Sequence, residues 1–276
     1  MASSVIPPSR EFGFIGDVAS NTDAVHSDRR RARSFGSIAS AYDRYRPSYP
    51  DDLIADLVAL SPERALDIAC GTGKVAVPLV ACGVAVLGVE VDPKMAAIAE
   101  SHGIFVDISS FEDWDPEGRT FDLVTCGQGW HWIDPTAGPR KVGEVLNPGG
   151  TFALFWNYDD MDTDLQHEID DAYRAHVPSM DASPYARFRN SEGERYLSDL
   201  RAAKVFDEIE VKRYRWERTY STEEWMHRAA THSANILLPD DVRDRLFDAL
   251  GKILDSRGGL IDARFGTYTI FARTKE

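Results

Sequence analysis

Cysteine is scarce: three in 276 residues, Cys70, Cys82 and Cys126, with neither paired nor metal-like spacing. An odd, scattered set excludes a disulfide-stapled secreted scaffold and suits a reducing cytoplasm. All three are expected as small buried apolar side chains. No apolar run approaches the roughly 20 residues a membrane-spanning helix needs. The N-terminus also lacks an apolar stretch behind a positive start, so a soluble, cytoplasmic protein is expected. Positive charge is in deficit, with 31 Lys and Arg against 45 Asp and Glu and a formal net charge of -14. Phosphate recognition needs a dense basic face, which excludes nucleic acid as the main partner; the one local exception is Arg29-Arg30-Arg31-Ala32-Arg33. There is no H-x-x-x-H or C-x-x-C pair, and Asp159-Asp160 has no evident octahedral partners, so no metal is expected. The acidic stretch over 159–181 reads as a solvated face.

At 43% apolar composition the chain can bury one large α/β domain or two small ones. Residues 1–33 mix Ser, Pro, Gly, Asp and Arg without period and read as a flexible N-terminal arm. The domain spans 34–276. Its rhythm starts with a buried strand, Ala65-Leu66-Asp67-Ile68-Ala69, followed by a glycine turn and a helix from Lys74 to Cys82. A second strand, Val84 to Val91, ends in acids, and Asp92-Pro93 offers an N-cap with Pro at the first helical position. Ile104 to Val106 and Phe121 to Cys126 are further strands. A helix from Thr136 to Leu146 closes at the breaker Asn147-Pro148-Gly149-Gly150, ahead of a strand from Thr151 to Trp156. Residues 159 to 200 are polar and helical in pattern. Phe206 to Trp216 and Gly266 to Ala272 are candidate last strands around a helical stretch from Thr222 to Ser256, one of them antiparallel near the sheet edge. The pattern predicts an α/β fold: a Rossmann-like, doubly wound, mainly parallel seven-stranded sheet with a helical lid or insertion over 158–205, after strand five.

In such sheets ligands sit beyond the carboxyl ends of the strands, where strand order reverses. Gly71 and Gly73 would let the backbone approach a ligand closely, and Glu90 could accept hydrogen bonds from ribose hydroxyls. Gly71-Thr72-Gly73-Lys74-Val75-Ala76 also satisfies the dinucleotide pattern G-x-G-x-x-A, which keeps NAD in play. Asp67 favours another cofactor. A carboxylate inside strand one repels a pyrophosphate and attracts a ligand bearing an ammonium and a sulfonium.

The run Asp67-Ile68-Ala69-Cys70-Gly71-Thr72-Gly73 resembles motif I of class I S-adenosylmethionine-dependent methyltransferases, a resemblance covering roughly residues 34 to 276. Gln128-Gly129-Trp130-His131-Trp132, the segment Phe35 to Pro50 and Thr231-His232-Ser233 resemble the branch of trans-aconitate and fatty-acid carboxyl methyltransferases, of the type 11-like kind. The resemblance implies S-adenosyl-L-methionine as cofactor and S-adenosyl-L-homocysteine as product. It implies that Asp67, Gly71 and Gly73 hold the methionine end and Glu90 the ribose. Ser110, Phe111 and Glu112 would surround adenine, and Ala69, Val91, Gly127 and Gln128 would line the same cleft. Ser110 is a departure, since many relatives carry an acid there; Phe111 backbone groups would take over that contact.

Methyl transfer from a sulfonium is an in-line displacement that demands alignment, exclusion of water and an ionised nucleophile. A carboxylate, with a pKa of roughly 4, needs no base at neutral pH. A hydroxyl does, and His131 is the candidate base; for a carboxylate it would only orient the substrate. The bland alternative, that His131 merely closes the cofactor pocket, stands beside it. Gln128 can donate to a carboxylate without burying a charge. Tyr42, Arg46 and Tyr49 lie in an aromatic and basic segment that the resemblance makes a lid, with Arg46 able to meet an acid. Trp130, Trp156, Asn157 and His232 complete the substrate candidates. The leading expectation is an O-methyltransferase of a free fatty or other small acid. Behind it stand O-, N- or C-methylation of a natural product, an NAD-dependent oxidoreductase, and a non-catalytic cofactor-binding protein. The sequence leaves both a monomer and a homodimer open.

Overall fold

The computed structural model describes residues 33–180, 182–185 and 190–276. The arm expected over 1–33 lies, Arg33 apart, outside the described residues. Seven strands form one sheet: β1 (Arg64–Ile68), β2 (Ala85–Glu90), β3 (Phe105–Ile108), β4 (Phe121–Gly127), β5 (Leu146–Asp159), β6 (Phe206–Ser221) and β7 (Leu260–Thr274). Their order is β3-β2-β1-β4-β5-β7-β6, with β1 to β5 parallel and β7 antiparallel to both its neighbours. This is the Rossmann-like sheet the pattern predicts. Order reverses between β1 and β4, so the crevice beyond their carboxyl ends is where a ligand fits.

The strands are apolar on both sides because helices cover both faces. On one face α2 (Asp51–Ala59), α3 (Ala76–Ala81) and α4 (Pro93–Ser101) press Leu53, Leu57, Leu79 and Ala99 onto Ala65, Leu123, Ala153 and Phe155. On the other, α5 (Ala137–Val145) and α7 (Asn190–Ala203) cover Leu66, Ile68, Val124, Phe152 and Leu154. A further core gathers α6 (Thr163–His176), α8 (Thr222–Ala230) and α10 (Asp240–Ser256) around Tyr173, Tyr185, Trp225 and Phe265. A 3-10 turn, Arg33–Ile38, leads into α1 (Ala39–Tyr45), and α9 (Ser233–Ile236) follows α8. The N-cap expected at Asp92 is in place, its carboxylate accepting from the Lys94 amide at 2.9 Å ahead of Pro93.

Four expectations need correction. Asn147-Pro148-Gly149-Gly150 ends α5 but does not delay the strand, which begins at Leu146. Gly149 takes a left-handed φ of +72° there, and its amide pairs with the Lys275 carbonyl at 2.7 Å. The stretch 222–256 is three helices, broken at Thr231 and again before Pro239. β6 and β7 outrun their expected ends because their distal halves form a long two-stranded ribbon, Trp216↔Phe265 to Ser221↔Leu260, whose polar outer positions hid the strand pattern. Cys82, at the C-cap of α3, is exposed; only Cys70 and Cys126 are buried. Within the segment expected to be a helical lid or insertion, 158–205, residues 158 and 159 belong to β5 and two helices follow, which part company: α6 joins the core with α8 and α10, whereas α7 covers the sheet.

Candidate active site

β1 delivers Asp67 to the crevice with only 1% of its surface exposed. Its Oδ1 accepts from the Thr125 hydroxyl on β4 at 2.7 Å, while Oδ2 has no partner among the described residues. An unpaired buried carboxylate oxygen is costly. Burial pushes the Asp67 carboxyl up to about 7, the Thr125 hydrogen bond opposing and the Glu90 charge adding to it. The chain then turns through Ala69 and Gly71, at φ +53° and +58°. Ala69 departs from what a left-handed position favours, and it faces Gly129, where an added Cβ would stand 2.6 Å from the Ala69 methyl. Gly73, at φ +86°, completes the turn.

Glu90 closes the next side. Its Oε2 accepts from the Gly71 amide and its Oε1 from those of Val91 and Asp92, all at 2.9 Å. Three backbone donors fix the carboxylate and leave about one of its four acceptor sites for a ligand hydroxyl. Desolvation nevertheless raises its pKa, the three amides opposing.

The segment Gly36–Pro50 lies across this crevice as a strap. The Gly36 amide donates to Asp92 Oδ2 at 2.9 Å, Asn157 Nδ2 to the Ser48 carbonyl at 2.9 Å, and Lys74 Nζ to the Asp43 carbonyl. His102 Nε2 lies 3.0 Å from Asp43 Oδ2. The Tyr49 ring meets Phe155 edge-on at 4.7 Å, and its hydroxyl sits where Gly127 has no side chain. Burial raises the Tyr42 and Tyr49 phenols, so both stay neutral.

The strap itself carries Arg46. Its guanidinium stands over Tyr42 at 5.6 Å and donates through Nη2 to the Thr231 carbonyl at 3.1 Å, at the C-terminal end of α8. Its Nε is sealed without a partner, and no carboxylate pairs with it among the described residues. Next to it Arg228, 2% exposed, is held by Asp159, both oxygens of which lie 2.6 Å from Nη2. Tyr185, Tyr220 and Phe265 surround that guanidinium at 5.6, 5.7 and 5.0 Å. His232 completes the group, edge-on to Tyr185 at 4.8 Å with Nε2 buried and unpartnered. Burial first, then the charges of Arg46 and Arg228, hold its pKa well below the histidine norm.

The structure thus brings together Asp67, Ala69, Gly71, Gly73, Glu90, Val91, Gly127 and Gln128 with Tyr42, Arg46, Tyr49, Asn157 and His232. Gln128 sits at φ +62°, a strained conformation for a non-glycine residue. Its side chain donates to the Asn157 carbonyl at 3.1 Å. His131, half-buried, packs against Trp132 at 4.6 Å. Other expected residues point elsewhere. Trp130 is 1% exposed and packs on Phe152 at 4.9 Å in the core under α5. Trp156 stacks on Tyr196 at 4.4 Å, because strand alternation sends it to the face opposite Phe155, Asn157 and Asp159. Phe111 is also core, 2% exposed beside Trp114. Ser110 bonds Asp113 at 2.7 Å, and Glu112 accepts from the Asp134 amide at 2.9 Å, an arrangement that shapes the loop after β3. Sequence reasoning missed Thr125, Asp159, Arg228 and Tyr185. Arg228 left a signal: with Trp225 and Ala229 it sits at i, i+3 and i+4 on the apolar stripe of α8, where a charge demands a partner. Among the described residues no group of three or more His, Cys, Asp or Glu could hold a metal, and no helix is long and apolar enough to cross a membrane.

Residues 65–150, the span from β1 to the start of β5, match the family model described as a methyltransferase domain. Over 86% of its length the chain is 26% identical to an uncharacterized methyltransferase of Mycobacterium tuberculosis, covering 92% of that protein. Over 37% of its length it is 34% identical to the ubiquinone biosynthesis O-methyltransferase of Xanthomonas campestris, covering 46% of it. Among solved structures, a candidate type II methyltransferase from Anaeromyxobacter dehalogenans superposes with a TM-score of 0.61 at 20% identity, over 84% of this chain and 98% of that one. The chain has the Rossmann-like fold of S-adenosylmethionine-dependent methyltransferases, and residues 65–150 are similar to their methyltransferase domain. S-adenosylmethionine fits the residues present: the orphaned Asp67 Oδ2 asks for a cationic donor, and the left-handed Gly71–Gly73 turn and Glu90 suit an amino-acid end and a ribose.

Proposed function

We propose that this enzyme methylates the carboxylate oxygen of a small free acid. The observation that carries the reading is Arg46, a guanidinium behind the cofactor crevice with a sealed Nε and no carboxylate partner among the described residues. A part-buried cation that no carboxylate touches is costly unless a ligand supplies the contact, and a planar guanidinium suits a carboxylate. Asp67, Gly71 and Gly73 hold the methionine end of the cofactor and Glu90 the ribose. Bound there, the cofactor supplies a methyl on a sulfonium, the electrophile for in-line displacement. Arg46 draws the acid in and His232, neutral, presents its Nε2 beside it. His131 and Gln128 orient the acceptor and take no proton, since a carboxylate is ionised at neutral pH. The Tyr42–Tyr49 strap keeps water out.

The test is calorimetric titration with S-adenosylmethionine, S-adenosylhomocysteine and NAD, then a screen of free acids for S-adenosylhomocysteine release. Turnover of an acid, lost at least tenfold in kcat/KM in Arg46→Gln with cofactor affinity kept, is the expected result. Turnover confined to hydroxyl or amine acceptors would refute it.

A further inference from the structure

Around Arg46 the charges can be counted, and the count restricts the acceptor beyond its being an acid. Two guanidiniums lie here among the described residues, Arg46 and Arg228, close enough that the Arg228 charge opposes that of Arg46. One carboxylate among the described residues, Asp159, answers them: its charge reaches Arg46, but its contacts are with Arg228, both its oxygens lying 2.6 Å from one guanidinium nitrogen, with the pair 3% and 8% exposed. Burial alone would lower Arg228, but the Asp159 charge outweighs it, so the pair stays ionised and neutral as a unit. His232 is uncharged, as are Tyr42, Tyr185 and Tyr220, whose phenols burial raises. Arg218, over the Tyr220 ring at 4.6 Å, belongs to the edge strand β6, where solvent screens it. Among the described residues one positive charge is left, on Arg46.

Resting on the carboxylate reading above, we propose that the acceptor is a monocarboxylic acid and that Asp159, by occupying Arg228, excludes dicarboxylates. A first carboxylate neutralises Arg46. A second, entering the same buried region, would find no free cation among the described residues and would face the Asp159 carboxylate in a low-dielectric setting, where like charges repel strongly. The formal net charge of -14 adds a long-range penalty for a polyanion. Asp159 is thereby a specificity residue: it touches no reacting atom but sets how many charges the site accepts.

The test measures acid binding to enzyme saturated with S-adenosylhomocysteine, by calorimetry, with matched pairs of probes: octanoate against suberate, and benzoate against terephthalate. The wild type is expected to bind each monoacid at least tenfold more tightly than its diacid. Asp159→Asn, which frees Arg228, should tighten diacid binding and bring the ratio to unity or below. The double variant Asp159→Asn, Arg228→Gln neutralises the pair and should restore the preference for one charge; it serves also if the single variant fails to fold. Wild-type binding of diacids as tight as monoacids overturns the proposal while leaving the carboxylate reading intact. If no acid binds although S-adenosylhomocysteine does, the carboxylate reading falls and this proposal with it.

Discussion

Asp67→Asn should make the cofactor-free protein more stable and the cofactor-bound protein less so. Asp67 is 1% exposed, one of its oxygens is orphaned, and burial lifts its carboxyl from 3.8 to about 7. The sign follows from linkage. The folded state holds a proton that the unfolded chain gives up near pH 4, so stability falls as pH rises from about 4 and levels off above about 7. At about 1.4 kcal/mol for each tenfold change in proton affinity, ionising the buried group costs about 4 kcal/mol, of which roughly half is already lost near pH 5.5. Asparagine keeps an oxygen for the Thr125 hydroxyl and carries no charge. The stability gap between variant and wild type should therefore widen by about 2 kcal/mol between about pH 5.5 and 8.5, or roughly 4–8 °C in Tm for a chain of this size. With saturating S-adenosylmethionine the order should invert, because binding stabilises only the state that recognises the ligand. Thermal denaturation at both pH values, with and without cofactor, is the assay. A pH-independent gap, or equal stabilisation of both proteins by the cofactor, would refute the reasoning.

Other perturbations test neighbouring parts of the site. Ala69→Gly removes a left-handed alanine and its contact across Gly129, and should stabilise the fold by about 0.5–1 kcal/mol after the entropy cost of glycine; a lower urea midpoint would contradict this. Gly127→Ala would drive a Cβ into the Tyr49 hydroxyl and to 2.8 Å from the Phe155 ring, so the strap should lift and cofactor affinity drop at least tenfold. At saturating cofactor and acid, kcat should stay flat from about pH 6 to 8.5, since an acid with a pKa of roughly 4 is already ionised. A steep rise near neutrality that disappears in His131→Ala would instead make His131 a general base.

The part of the crevice around β1 and β2 was legible because its signals are local. A strand, a glycine turn and a helix cap recur within a few residues, and Asp67 inside an apolar run is a local anomaly that stands out in one dimension. The same holds for β1 to β5, whose period and breakers lie inside each segment. Face and partner were not legible. Trp130 and Trp156 looked like site residues by position along the chain, yet strand alternation and the α5 packing turn them into the core. The proposed acceptor side depends on residues far apart in sequence: Arg46 meets the Thr231 carbonyl 185 positions away, and Arg228 meets Asp159 across 69. Nothing local distinguishes Asp159 from the acidic run that follows it. By itself the sequence determined the sheet, the carboxylate inside β1 and the glycine turn, which are set by short-range sterics and hydrophobic period. Only the tertiary structure decided which charges neutralise one another, because a buried charge acquires its meaning from the partner that desolvation forces it to find.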